Sequence, residues 1–385
     1  MSHFKSRRSF IKTSAMASLA LPILGTSILS CKSEKKDLNS TSKKLKILIL
    51  GGTSFLGPHQ IAYALSRGHS ISTFTRGKTI PKIHAELFKD VEQLIGDREN
   101  NLKALENRKW DVVIDNSGRK VEWTKATAIL LKDNVGLYMY TSSTGVYYPY
   151  LTGNLSTDTK LVLEMPEGLT EDEKYEQDYG IMKANSELEA IKAFGEDRTT
   201  IIRPTYMLGP GDRMDRFMHW PVRLAEGGEI MVPGKKDDSI QYVDVRDIAE
   251  WFIRLAETKT AGIYNGVGPA NPQTMQQFIN EASKSFDKEH HFVYIDDYDF
   301  LKDNEFYFSI PWIIPLDKHY GSARVTNAKS KKNGLTFRPL NDTLKSILKW
   351  WDSEAVSNER RDKFNSNLKQ MVEKEKGMIT AWNSR

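Results

Sequence analysis

Leu45-Lys46-Ile47-Leu48-Ile49-Leu50-Gly51-Gly52-Thr53-Ser54-Phe55-Leu56-Gly57 is the stretch that decides the fold. Its short apolar start predicts a buried strand. A glycine-rich turn follows at once. Ile61, Ala62, Ala64 and Leu65 then recur with helical spacing until Gly68-His69 closes the segment, and Ser70 to Thr75 predicts a second strand. Strand, glycine turn, helix and strand in this order make a βαβ unit suited to a dinucleotide. The glycines let the backbone approach a pyrophosphate, and the helix N-terminus offers N–H donors and partial positive charge. Gly51, Gly52, Thr53, Ser54, Phe55, Leu56 and Gly57 are therefore candidate cofactor contacts.

Farther along, Trp110 to Asp115 predicts a buried strand ending in Asn116-Ser117-Gly118, and Val135 to Tyr140 predicts another that runs into Thr141-Ser142-Ser143-Thr144-Gly145-Val146-Tyr147. Tyr179-Gly180-Ile181-Met182-Lys183 opens a segment of helical character that continues to Ala190. Spacing of four places the phenol and the ammonium on one helix face. A tyrosine with a pKa of about 10 is a poor base at neutral pH, but neighbouring positive charge favours its phenolate and makes it a usable acid/base.

These motifs, in this order, resemble the extended short-chain dehydrogenases/reductases of the NAD-dependent epimerase/dehydratase type, over roughly residues 45 to 350. The family's turn is Gly-x-x-Gly-x-x-Gly, and this chain departs from it with Ser54 at the middle position. The resemblance implies an α/β fold: a Rossmann-type, doubly wound parallel sheet over 45–205 and a smaller C-terminal α/β substrate lobe over 206–353, interleaved with that core. A charged terminal helix over 354–385 follows. It also implies Ser143, Tyr179 and Lys183 as the catalytic set, with Lys183 on the cofactor as well. Asp97, in Gly96-Asp97-Arg98, falls beside the adenine, and Asn116 and Ser117 fall under the phosphates and ribose. Arg203-Pro204-Thr205-Tyr206-Met207-Leu208-Gly209-Pro210-Gly211 corresponds to the segment lining the substrate mouth. Tyr206, Arg213, Arg216 and Asp244 are the substrate-side candidates; Asp244 stands where many relatives carry His.

The cofactor so implied is NAD or NADP. Where NAD-binding relatives place an acidic residue after the second strand, this chain has Thr75-Arg76-Gly77-Lys78, and Arg76 suits the 2′-phosphate of NADP. The implied activity is epimerisation or dehydration of a sugar or sugar derivative by transient hydride transfer, with a tightly bound, internally recycled cofactor. Two alternatives stand beside it: net NADP-dependent reduction of a small carbonyl compound, and a non-catalytic RNA- or ligand-binding relative of the fold. No histidine or cysteine spacing points to a metal.

The N-terminus reads as an address. Ser6-Arg7-Arg8-Ser9-Phe10-Ile11-Lys12, followed by an apolar run to Ser30, resembles a twin-arginine signal peptide recognised by the export machinery of that route. Ile28-Leu29-Ser30-Cys31 resembles a lipobox, which makes Cys31 a candidate for lipidation and membrane anchoring. Residues 32–44 read as a polar linker. The protein is thus expected to be periplasmic or a membrane-anchored lipoprotein facing away from the cytoplasm. Lys5, Arg7, Arg8 and Lys12 account for nearly all of the formal charge of +5 across 385 residues, so the remainder is almost neutral. Such a surface gives no electrostatic footprint for nucleic acid, and no nucleic-acid partner is expected. Cys31 is the one cysteine, so the folded part has no internal disulfide.

Overall fold

A computed structural model of the chain describes residues 43–316 and 319–385. The expected signal peptide, Cys31 and nearly all of the polar linker lie outside the described residues. The apolar run beginning at Leu45 forms strand β1 (Lys46–Leu50), and its side chains alternate between two cores. Ile47 and Ile49 join one hydrophobic cluster with helices, while Leu48 and Leu50 join another on the opposite face. Both faces being covered explains why the strand reads as continuous apolar sequence rather than as alternation.

The glycine turn leads to α1 (Leu56–Ser66), followed by β2 (Ser70–Thr75), β3 (Glu92–Ile95), β4 (Trp110–Asp115), α2 (Val121–Leu131) and β5 (Val135–Thr141). A long helix α3 (Glu171–Phe194) precedes β6 (Thr199–Pro204). After β6 the chain leaves the sheet through β7 (Met207–Leu208), α4 (His219–Glu226), β8 (Gly228–Pro233) and β9 (Ser239–Asp244). Helix α5 (Val245–Glu257) then returns it to β10 (Gly262–Gly266). The central sheet has the order β10-β6-β5-β4-β1-β2-β3, and every pairing in it is parallel. The chain winds outward in both directions from the β1/β4 pair, so a crevice opens where those strands end, the place where open α/β sheets bind ligands.

Most of the remaining elements build a second core: β11 (Gly268–Thr274), α6 (Met275–Ser283), β12 (His290–Ile295), α7 (Tyr298–Asp303), α9 (Leu340–Trp351) and α10 (Asn358–Asn383), whereas α8 (Ala328–Lys332) lies against β10, its Ser330 Oγ donating to Asn265 O at 2.6 Å. Strand β12 lies parallel to β8, and β11, β9 and β7 form a small mixed sheet. Trp220, Trp312, Trp350 and Trp351 are buried in this core together with Met378 and Ile379 of α10. The expected terminal helix is therefore present and packed. Its Glu375 is buried, accepts from Nε and Nη2 of Arg223 at 3.2 Å each, and accepts from the Met231 backbone N–H at 2.9 Å. No helix among the described residues is long and apolar enough to cross a membrane.

One sequence expectation shifts. Helix α3 begins at Glu171, so Tyr179 lies inside the helix rather than at its start. The reason is a reciprocal capping box: Thr170 Oγ1 accepts from Glu173 N–H at 3.3 Å and Glu173 returns a carboxylate to Thr170 N–H at 2.9 Å. Three acidic residues in that first turn also complement the helix dipole. Helix α5 is capped by Asp244.

Candidate functional site

The site begins at the glycine turn. Gly51 has φ of 81°, in the left-handed region that favours glycine. Gly57 sits so close to Gly52 that a Cβ on it would lie 2.4 Å from the Gly52 carbonyl oxygen. Only hydrogens fit between these two backbones. Thr53, Ser54 and Phe55 are half-buried at the turn's surface, Leu56 is buried beneath it, and the Ser54 carbonyl accepts from Gly57 N–H at 3.1 Å. No side chain caps the N-terminus of α1, and its first turn carries no acidic residue. The free N–H groups and the close glycine backbone together fit a pyrophosphate, so the residues present suit a dinucleotide.

At the end of β4, Asn116 and Ser117 come to the same crevice. Asn116 Nδ2 donates to Gln60 Oε1 at 2.7 Å, and Asn116 Oδ1 accepts from Thr141 Oγ1 at 2.7 Å. Gln60 is fully buried and its Nε2 has no partner, a donor left over beside the turn. Ser117 is braced from below by Arg98, whose guanidinium is buried in a two-pronged pair with Asp115 and also donates to Ser117 Oγ at 3.1 Å. Asp97 is half-buried at the crevice edge and uses Oδ1 to accept from Glu99 N–H at 3.0 Å. Arg76 is exposed just past the end of β2. The sequence reading singled out Asp97 and passed over Arg98, although an arginine three residues past β3 is what holds the β4 end in place.

Ser143 follows β5 and caps a short turn, accepting from Gly145 N–H at 3.0 Å. Gly145 is where Tyr179 crosses: a Cβ there would lie 3.0 Å from two ring carbons of Tyr179 and 3.3 Å from Ser143 Oγ. Serine hydroxyl and phenol ring thus share one spot. Tyr179 is 48 % exposed and opens to the cleft. The protein crowded around its ring raises the phenol's pKa, while the Ser143 hydrogen bond and the positive charges of Arg216 and Arg119 pull it down. Arg119, exposed just after the β4 end, carries no sequence signal beyond its position there and was passed over in the motif reading.

Lys183 is buried one turn further along α3. Its ammonium donates to Thr141 O at 2.9 Å and Gly118 O at 3.4 Å, and lies 4.9 Å above the Tyr140 ring. Burial lowers its pKa to about 8, against the pull of Asp115 and Glu187. The ammonium is spent on strand-end carbonyls between β4 and β5, directly beneath the cleft. Below Ser143, Arg203 forms a buried pair with Glu187, which also accepts from Ser142 Oγ at 2.5 Å; Arg203 further donates to Tyr147 Oη at 2.9 Å. This network locks the β5 and β6 ends that carry the site.

Of the substrate-side candidates, Tyr206 is half-buried and Arg216 lies over its ring at 5.8 Å. Arg213 is exposed in the same loop. Asp244 is a correction. It is buried, caps α5 by accepting from Arg246 N–H at 2.8 Å, pairs with the Arg246 guanidinium at 2.6 Å, and accepts from Thr343 Oγ1 at 2.8 Å. With its lone pairs committed to these partners, it is a structural residue. Among the described residues no cluster of His, Cys, Asp or Glu has metal-holding geometry.

The sequence matches the NAD dependent epimerase/dehydratase family over residues 47–266, and the chain belongs to that family. It is 30 % identical over 237 residues to the chloroplast stem-loop binding protein of 41 kDa b from Arabidopsis thaliana, and the match spans 58 % of each chain. Its fold is similar to the UDP-N-acetylglucosamine 4-epimerase from Methanobrevibacter ruminantium M1, solved with UDP-N-acetylmuramic acid, with a TM-score of 0.59 at 17 % identity over 80 % of this chain and 98 % of that one. The Bordetella bronchiseptica enzyme WbmG, solved with NAD and UDP, gives 0.57 at 16 % identity over 82 % and 96 %.

Proposed function

We propose that the chain is an NAD(P)-dependent epimerase or dehydratase of a sugar or sugar derivative, and the observation that carries this is Tyr179 lying against Ser143 at the mouth of a dinucleotide-shaped crevice. A bound nicotinamide supplies a carbon that takes a hydride and gives it back. Tyr179 accepts the proton of the substrate hydroxyl as the hydride leaves the same carbon, and the two return together in the closing half of the reaction. Ser143 Oγ lies beside the phenol and holds the substrate oxygen in line. Burial holds the Tyr179 phenol above its ordinary pKa, and Ser143, Arg216 and Arg119 offset part of that rise. Lys183 keeps a positive charge under the cleft, between the β4 and β5 ends.

Export by the twin-arginine route, which the N-terminal sequence supports, would carry the folded protein out with its cofactor. A compartment without free nicotinamide nucleotide favours a cycle that begins and ends with the same redox state of a tightly held cofactor. Arg76 at the β2 end, with no carboxylate beside it, favours the 2′-phosphate of NADP. Similarity to a stem-loop binding protein makes an RNA ligand the second reading. Tyr179→Phe separates the two. The enzyme reading expects turnover to fall by roughly 10²–10⁴, the usual worth of general acid–base catalysis, with the co-purifying dinucleotide retained. Unchanged turnover, or a protein that comes out of purification free of dinucleotide and takes none up, would overturn it.

A further inference from the structure

A pair of histidines joins the glycine turn to the chain that leaves β7. His59 lies in the first turn of α1, just past Gly57, and is buried. Its Nε2 stands 2.9 Å from the Pro210 carbonyl oxygen, and its Nδ1 stands 3.4 Å from Nε2 of His84, whose ring meets it edge-on. A carbonyl can only accept, so the His59 ring carries its hydrogen on Nε2 and offers Nδ1 to His84 as an acceptor. Burial lowers the His59 pKa to about 4, which keeps the ring neutral and this direction of bonding in place at neutral pH.

Pro210 sits where the chain turns from β7 toward the second core. Gly209 and Gly211 on either side of it have φ of 143° and 93°, values that favour glycine. The turn is wedged. A Cβ on Gly209 would lie 2.6 Å from Val245 Cγ1, and one on Gly211 would lie 2.5 Å from Ile83 Cδ1 and 3.7 Å from Phe55 Cδ2. Phe55 and His59 flank Gly57, while Ile83 and His84 follow β2, so two segments of the dinucleotide side converge on this one turn. Tyr206 precedes it and Arg216 follows it; Arg216 lies over the Tyr206 ring, and its charge reaches Tyr179.

We infer that His59 is a positioning residue: it ties the helix start that holds the pyrophosphate to the turn at Pro210, so that a filled dinucleotide cradle fixes Tyr206 and Arg216 beside Tyr179. The inference rests on the dinucleotide part of the proposed function. The N–H groups in the first turn of α1 gain partners when a pyrophosphate binds, which stiffens the turn on which His59 stands. The bond to the Pro210 carbonyl passes that stiffness to the neighbouring chain.

The test is amide hydrogen exchange read by mass spectrometry, without added dinucleotide and at saturating NAD⁺ or NADP⁺. In the wild-type protein the dinucleotide is expected to slow exchange in residues 51–60 and also, by about fivefold or more, in residues 206–216. His59→Phe keeps a ring but has no donor for Pro210, and it is expected to retain the protection at 51–60 and lose that at 206–216. His59→Gln, whose amide can still donate to the carbonyl, is expected to restore it. Peptides from β8 and α10 serve as the control for general loosening: faster exchange there in both variants would make His59 a packing residue only and end the inference. A wild type whose residues 206–216 ignore the dinucleotide, or a His59→Phe protein that responds as fully as the wild type, would sink it while the proposed function stands. Absence of protection at 51–60 with either dinucleotide would bring down both.

Discussion

Lys183 shows how burial and chemistry meet in one side chain. Its ammonium is enclosed, held by two carbonyls and a ring face, and pushed down to a pKa of about 8. Between that value and the unperturbed lysine value of about 10.4, an unfolded chain keeps the proton that the folded one has lost, so this group makes the empty protein more stable as pH rises through the interval. Below about 8 both states are protonated and the full desolvation cost is present. The same titration bears on the ligand. Dinucleotide affinity of the empty protein is expected to decline above pH 8 as the positive charge beneath the crevice disappears, and Lys183→Met should bind more weakly but with that pH dependence removed. Titrations of fluorescence quenching across the range would show it; a Lys183→Met profile that still declines above pH 8 would assign the effect elsewhere.

At the scale of elements, the turn between β1 and α1 has no slack. Gly57→Ala places a methyl 2.4 Å from a backbone oxygen, and neither partner is a flexible side chain that could swing aside. The helix start must move, and with it the N–H groups that face the crevice. Dinucleotide affinity is expected to fall at least tenfold, while far-ultraviolet circular dichroism and the long sheet remain; retained affinity would mean that the glycine contact is not what shapes the cradle. This unit was legible in the sequence because its signals are local: an apolar run, a turn and a periodic helix within a few tens of residues. Tyr179 and Lys183 were legible for the same reason. The start of α3 was written in Thr170 and Glu173 and overlooked, since a capping box shows only when it is sought ahead of a helix. Asp244 was misread for a different reason. A carboxylate at a strand end serves equally as a ligand or a cap, and what decides is Thr343, 99 residues away.

At the scale of the whole molecule, the second core depends on α10. Glu375 meets Arg223 where both are buried, and it also satisfies a backbone N–H of β8. Glu375→Ala takes away a buried carboxylate shared by Arg223 and the Met231 N–H, while Glu226 still answers Arg223 at 2.9 Å, so the cost is that of buried donors left unsatisfied, roughly 1–3 kcal/mol. Chemical denaturation should show a loss of that order, whereas Lys369→Ala on the exposed side of α10 should change little. Near-equal midpoints for the two variants would show that the helix is held by its apolar contacts alone. None of this long-range pairing was visible beforehand, because nothing in the local pattern of a charged helix says that one of its glutamates goes inside.

The buried bond between Arg223 and Glu375 also sets an order of events. Arg223 leaves the ribosome long before Glu375, and until the last helix arrives the second core lacks Met378 and Ile379 as well. Helix α10 must be made before that core can close, so a chain broken off ahead of it carries a finished nucleotide cradle beside an unfinished lobe. Any cellular check that asks whether this protein is folded is, in effect, asking whether α10 has docked.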